Sequence, residues 1–209
     1  MSPNLKQTFR VWVDLHGSFP EIADEKFLLI LEDSHDWLMR SMQTGRYSFG
    51  LIIEIALHSF RRFYNIFTIL DEIKFLEGKK TKTHTKPASI FNKNPLLGLW
   101  HKHHFQARFI PRNLMNELSH SDAVEKFFEK HTGKYMEEVV NELAELLTTS
   151  AFEKRSHASE LTGEWIIFEK SEMSHYYLTL ASYKESDQEI FDRICAYRAF
   201  DNLNKADFL

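Results

Sequence analysis

Two histidines and one arginine near residue 100 could share a chemical task. The sequence here reads Trp100-His-Lys-His-His-Phe105, and we predict that it lies on a helix. His101, His104 and Arg108 would then follow at i, i+3 and i+7, within about 60° of one another on one face. Such a face can hold a phosphate, and a histidine pair can supply the acid and the base for RNA cleavage. Arg112 joins the face if the intervening proline kinks the helix rather than breaking it.

The same residues also have a purely structural interpretation. Trp100 and Phe105 flank the histidines, so the imidazoles can simply occupy a half-exposed helix face, with the arginine paired to acidic residues elsewhere. No motif of known mechanism accompanies the histidines. The sequence therefore does not decide whether the protein is an enzyme, and we favour the interpretation that it is not. His101, His104 and Arg108 are the catalytic candidates only if the protein is a nuclease.

A basic belt, residues 78–116, surrounds these histidines. It contains no aspartate or glutamate but eight lysines and arginines, and the rest of the chain has 18 basic residues against 30 acidic ones. Such asymmetry is physical information about partners, and it predicts a surface that attracts phosphate or nucleic acid. The candidate binding residues are Lys79, Lys80, Lys82, Trp100, His101, His104, Arg108 and Arg112.

Metal and cofactor signals are weak. His101 and His104 could be two ligands, but no cysteine pair or HExxH motif accompanies them, so we expect neither a metal nor a cofactor. The single cysteine, Cys195, falls in a predicted C-terminal helix and is expected to be a small core residue. One cysteine cannot form an intrachain disulfide, which fits a reducing cytoplasm.

The element that would position the histidines and the basic belt is a long apolar helix. Residues 49–76 are apolar at almost every turn, and the few polar side chains fall on one narrow stripe. Aromatic residues such as Phe60 and Phe67 would then be buried. The predicted fold class is a mostly helical α+β protein, a helical bundle around this central helix with a C-terminal β-hairpin and a terminal helix.

The remaining elements follow from periodicity. Residues 8–15 alternate as in a strand, although a helix stays possible, and residues 95–109 are predicted to be helical. Two β-rich runs, 164–170 and 175–183, predict the hairpin, and 187–200 the terminal helix. We expect one domain over 1–209, with a helical body at about 18–150 and an appendage of hairpin and helix at about 160–200.

Two functions are open at this stage. The first is a non-enzymatic protein-binding module, most concretely an immunity or antitoxin protein that neutralises a basic nuclease toxin, because acidic surface steers a protein onto a cationic partner. The alternative is a nucleic-acid-binding protein or a metal-independent ribonuclease that uses the basic belt. No membrane span or membrane partner is expected, because the longest apolar run carries many charges. No signal peptide is expected either, because residues 1–8 are polar and lack an apolar core.

Overall fold

A computed structural model describes residues 3–16, 25–106 and 164–203. These residues fall into two compact units. The first holds nearly all of them, within 1–83, 88–104 and 164–203, and residues 84–87, 105 and 106 belong to the second. The expectation of one domain over 1–209 stays a prediction. The architecture and the site presented below are those of the first unit.

The described part of the chain forms five helices and five strands. In chain order they are α1 (Pro3–His16), α2 (Glu25–Ser41), β1 (Arg46–Tyr47), α3 (Phe49–Phe60), α4 (Ile66–Leu76), β2 (Ser89–Ile90), β3 (Trp100–His104), β4 (Glu164–Lys170), β5 (His175–Ala181) and α5 (Asp187–Leu203).

One mixed sheet joins the five strands in the order β1-β5-β4-β3-β2. β1 runs parallel to β5, and the other neighbouring pairs are antiparallel. The predicted helical bundle with a single β-hairpin is therefore wrong: the fold is α+β around a five-stranded sheet. The predicted hairpin forms the middle of that sheet, because β3 pairs with β4 on one side and β1 pairs with β5 on the other.

The predicted central helix over 49–76 is two helices. α3 ends at Phe60, and Arg62 takes a positive φ of 52°, which a continuing helix does not allow. Asn65 then starts α4, because its side chain accepts a hydrogen bond from the Phe67 N–H at 3.1 Å. Phe67, expected in the core, is 56 % exposed. An interruption of five residues thus redirects the chain and changes which faces are buried.

The predicted helix over 95–109 is also wrong where the structure describes it. Residues 100–104 form β3, which pairs with β4 from Trp100↔Phe168 to His104↔Glu164. Pairing with a strand 60 to 68 positions away decides this conformation, whereas the local periodicity suggested a helix. Residues beyond 106 in this segment lie outside the described residues.

Residues 8–15, predicted as a strand, belong to helix α1. Leu5, Phe9 and Trp12 are all buried, and their spacings of four and three residues place them on one helical face. Leu15, which the alternating pattern placed with Phe9, is 59 % exposed. The helical interpretation that the sequence left open is therefore the one that the fold adopts.

Two apolar clusters hold the sheet between its helices. The larger joins the sheet to helices α1 to α4 and to part of α5, and it includes Phe27, Leu31, Ile52, Ile55, Ile69, Phe168, Tyr177, Tyr197 and Phe200. The smaller joins the sheet to α5 and includes Ile167, Leu178, Ala181, Ile190 and Ile194. Strands β4 and β5 alternate their side chains between the two clusters, so both faces of the sheet are covered there.

A buried carboxylate ties α3 to β5 and α5. Glu54 accepts hydrogen bonds from the Thr179 hydroxyl at 2.7 Å, the Leu180 N–H at 2.7 Å and the Tyr197 hydroxyl at 2.9 Å. The Arg193 guanidinium lies 3.2 Å from the same carboxylate. A buried charge needs this degree of pairing, so the network defines how the three elements meet.

The solvent-facing side of α5 carries Cys195. Its thiol is exposed, which corrects the expectation of a small core residue. Within the described residues, no helix combines the length and the apolar character that crossing a membrane requires.

Candidate anion-binding cleft

A cleft of about 530 Å³ opens beside the β4–β5 hairpin. Three cations from three different elements line it: Arg46 in β1, Lys170 at the end of β4 and Arg198 in α5. Among the described residues that line the cleft, Glu169 supplies the only carboxylate. The lining therefore carries a net positive charge although the whole chain has a formal charge of −4.

Aromatic rings orient two of the cations. The Arg46 guanidinium lies 5.4 Å from the centroid of the Tyr176 ring, and the Lys170 ammonium lies 4.8 Å from that of Trp100. Both distances fit cation–π contacts. Within the described part of the chain, neither cation forms an ion pair. Their positive charge is therefore not neutralised locally and remains available at the cleft.

The third cation already holds a carboxylate. Arg198 donates to a carboxylate oxygen of Glu169, and both residues line the cleft. This contact shows that the Arg198 guanidinium is oriented to bind an oxyanion. An anion entering the cleft would compete with Glu169 for the same donor groups.

Two serines close the hairpin end of the cleft. The Ser171 N–H donates to the Ser174 carbonyl at 2.9 Å, and the Ser174 N–H donates to the Ser171 hydroxyl oxygen at 3.1 Å. These bonds fix a tight turn, so both hydroxyl groups sit on a defined backbone. The Ser171 hydroxyl donates to the Ser174 carbonyl at 2.9 Å. This leaves the Ser174 hydroxyl as the serine group that can turn to donate to an oxyanion.

The floor and the opposite wall are apolar or neutral. Tyr176 and Phe191 line the cleft, together with the loop that precedes β3. The Tyr176 hydroxyl donates to Asp201 at 2.5 Å, and burial together with that carboxylate raises the pKa of the phenol, which stays protonated. Gly98, at φ 88°, allows the loop to turn back through a hydrogen bond from its N–H to the Phe91 carbonyl.

The lining carries groups that can bind an oxyanion. Arginine forks, a lysine point charge and hydroxyl donors are the groups that recognise phosphate. Among the described residues that line the cleft there is no histidine or cysteine, and the one carboxylate is bonded to Arg198.

The structure separates the histidines that the sequence placed together. His101 and His104 are three residues apart, so they share a face on a helix but lie on opposite faces of strand β3. His101 packs against Phe91, with ring centroids 4.5 Å apart, and its Nε2 lies 3.1 Å from the Ser89 hydroxyl. His104 is fully buried, with its ring 5.4 Å from that of Tyr64.

The other predicted site residues do not form one site in the described part of the chain. Trp100 lies under Lys170 beside the cleft. Lys79 donates to the carbonyls of Arg40, at 2.9 Å, and of Met42, and Lys80 pairs with Asp71 at 2.6 Å. Lys82 is exposed. Arg108 and Arg112 lie outside the described residues.

One cation of the basic belt is not on the surface. Lys102 is fully buried, with its ammonium 3.1 Å from a Glu72 carboxylate oxygen and 3.2 Å from the Thr83 hydroxyl. Burial lowers the pKa of the Lys102 ammonium, and the Glu72 carboxylate opposes that change. This ion pair joins β3 to α4, so Lys102 contributes to the fold and cannot meet a partner directly.

A further buried acid is the cross-strand neighbour of His104. It is Glu164 in β4, which is 3 % exposed. Burial raises the pKa of the Glu164 carboxyl from 4.5 to about 7, with a smaller contribution from the nearby Glu185 carboxylate. The carboxyl group thus favours its neutral form in the folded protein.

We expect Glu164→Gln to change how stability depends on pH. Because the folded-state pKa is raised, Glu164 stabilises the protein below about pH 4.5, and this contribution is lost as the pH rises through 7. At pH 8 the free energy of unfolding of the variant should be about 3 kcal/mol higher than that of wild type, and the difference should vanish near pH 4. Urea unfolding from pH 4 to 8 measures it, with Glu172→Gln at the exposed hairpin tip as the control. A constant difference across this range would contradict the prediction.

The cleft residues were not apparent in the sequence. Arg46, Lys170 and Arg198 are separated by more than a hundred positions at the widest and belong to no local motif. Only the pairing of β1 with β5, and the packing of α5, bring them to one place. Comparisons with protein-family models, with curated proteins and with solved structures find no match for this chain.

Proposed function

We propose that this protein is a binding module that holds a phosphate group of its ligand in the cleft. The observation that carries the proposal is the convergence of Arg46, Lys170 and Arg198 on one concave surface, with the Ser174 hydroxyl beside them. The cleft volume, about 530 Å³, falls in the range of small-molecule sites, roughly 300–1,000 Å³.

Phosphate fits this lining better than a single carboxylate does. Two uncompensated cations, Arg46 and Lys170, and a third bonded to Glu169 suit a ligand with more than one negative charge. The aromatic faces of Tyr176 and Trp100 are already covered by cations, so the cleft favours the charged part of a ligand over a stacked base.

The two functions expected from the sequence relate differently to this cleft. A nucleic acid would still bind through its phosphates, but it would bind in the cleft and not on the basic belt. The ribonuclease version needs His101 and His104 in one place, and the two lie on opposite faces of β3. An immunity-type inhibitor of a basic nuclease would dock through acidic surface elsewhere. A cytoplasmic location belongs to the proposal and is supported by the exposed thiol of Cys195.

Titration with inorganic pyrophosphate should give saturable binding by the wild-type protein. At about 50 mM salt, where phosphate contacts are weakly screened, Arg46→Ala and Arg198→Ala should each weaken binding about 10- to 100-fold. That range corresponds to the loss of one charge-assisted hydrogen bond. Glu169→Gln should instead tighten binding, because it frees Arg198 and removes the competing charge. Isothermal titration calorimetry measures all four proteins.

The control is Lys82→Ala, which removes an exposed cation of the basic belt. Binding within about two-fold of wild type would place the site in the cleft, whereas a loss as large as that of Arg46→Ala would place it on the belt. The same titrations are repeated with a short single-stranded RNA as the second ligand. Tighter binding of RNA than of pyrophosphate, with the same sensitivity to Arg46→Ala, would identify nucleic acid as the phosphate source. No saturable binding of either probe would contradict the proposal and favour the inhibitor.

A further inference from the structure

The carboxylate of Glu77 accepts hydrogen bonds from three consecutive backbone N–H groups. Glu77 follows α4, and its Oε2 accepts hydrogen bonds from the N–H groups of Gln43, Thr44 and Gly45 at 2.8, 3.0 and 3.0 Å. Three adjacent N–H groups that point at one oxygen form a concave anion site, which here holds a side chain of the protein itself. Charge-assisted bonds of this kind are stronger than neutral ones.

The second oxygen of the same carboxylate is fastened to the sheet. Glu77 Oε1 accepts a hydrogen bond from the Tyr177 hydroxyl at 2.8 Å and lies 3.4 Å from Nδ1 of His175. Both partners are in β5, where Tyr176 of the cleft lining lies between them, and Ser174 of the lining directly precedes the strand. One carboxylate therefore connects the turn at 43–45 to the strand that forms the cleft floor.

The turn at 43–45 leads directly into the first cation of the cleft. Arg46 is the next residue, and its backbone pairs with Tyr176 in the parallel β1–β5 contact. β1 is only two residues long, so few ladder hydrogen bonds of its own can hold Arg46 over the Tyr176 ring. The hydrogen bonds to Glu77 supply the constraint that so short a strand lacks.

Gly45 shows how closely the turn and the carboxylate approach. A β-carbon added at this position would lie 2.4 Å from Glu77 Oε1 and 2.9 Å from the Tyr177 ring. A side chain here would have to displace the Glu77 carboxylate or the Tyr177 ring from its present position.

We infer that Glu77 is the positioning residue of the cleft, which holds the turn at 43–45 so that Arg46 faces a bound phosphate. This inference rests on the proposed function for its ligand, but its geometry does not depend on one. Glu77 does not line the cleft and acts through Arg46. Burial opposes the charge of this carboxylate, whereas the backbone and tyrosine hydrogen bonds lower the pKa of Glu77 below its usual value, so it stays ionised at neutral pH.

The test is a double-mutant cycle between Glu77→Gln and Arg46→Ala with pyrophosphate as the probe. Alone, Glu77→Gln should weaken binding about ten-fold, because an amide keeps the volume but not the charge that orders the turn. In the Arg46→Ala background it should have no further effect, because the group that it positions is gone. Asp71→Asn removes one carboxylate from the same helix, away from the cleft, and should leave binding within about two-fold.

Amide hydrogen exchange provides a readout that needs no ligand. Glu77→Gln should speed exchange at the amides of Gln43, Thr44 and Gly45 while the β4–β5 hairpin stays protected, because the turn amides donate to Glu77 whereas the hairpin amides belong to the backbone ladder between β4 and β5. Unchanged exchange, unchanged pyrophosphate affinity, or an equal loss in the Arg46→Ala background would each overturn the inference. Failure of the wild-type protein to bind pyrophosphate would instead overturn the proposed function, and the inference with it.

Discussion

Replacing Lys102 with methionine should lower the free energy of unfolding by about 3–5 kcal/mol. The ammonium of Lys102 is fully buried and lies 3.1 Å from the Glu72 carboxylate. Methionine keeps much of the side-chain volume but leaves that carboxylate buried without its cation. An uncompensated buried charge is among the most destabilising changes that a single substitution can make.

Equilibrium unfolding in urea measures this effect. Adding Glu72→Leu to Lys102→Met should recover at least half of the lost stability, because the pair is then replaced by two apolar groups. Lys74→Met is the matched control, since it breaks the half-exposed pair with Asp71 and should cost less than about 1 kcal/mol. A Lys102→Met protein as stable as Lys74→Met would show that this ion pair does not hold β3 against α4.

Truncating Trp12 to alanine should cost about 3–5 kcal/mol as well. Trp12 is 4 % exposed, and its ring lies 5.6 Å from that of Phe49, 5.2 Å from that of Tyr197 and 4.9 Å from that of Phe200. It therefore joins α1 to α3 and α5 at a single point. The loss of this ring removes contacts to three other aromatic residues at once.

Trp37→Ala provides the control for the loss of an indole as such. Trp37 is only partly buried and contacts Phe67, which is 56 % exposed, so the change should cost less than half as much. Thermal and urea unfolding of both variants measure the two losses of stability. Equal losses would mean that α1 does not dock through Trp12.

The hairpin and the terminal helix could be predicted from the sequence because their signals are local. β-favouring residues fill both runs that became β4 and β5, and the short polar segment 171–174 between them suits a turn. The apolar residues of α5 recur at helical spacing, with Ile190, Ile194 and Tyr197 all buried. In such segments the periodicity of burial and the backbone conformation are specified by the same neighbouring residues.

The two wrong helices failed for a different reason. Between α3 and α4 the chain breaks at Arg62, a residue type that does not usually take a positive φ, so composition contains no warning. In β3 the histidine-rich sequence has no strong strand preference, and pairing with β4 sets its conformation. A change from helix to strand moves residues three apart from the same face to opposite faces, and this change alone separated His101 from His104.

The sequence by itself determined the composition of this protein and its local elements: one basic belt in an acidic chain, a hairpin followed by a helix, and a single cysteine. Only the tertiary structure decided where the charges act. It buried Lys102 against Glu72, tied Lys79 and Lys80 to neighbouring groups, and brought Arg46, Lys170 and Arg198 together from three elements. The physical reason is that the energy of a charge depends on its burial and its neighbours, and both are set by long-range pairing and packing that no local pattern encodes.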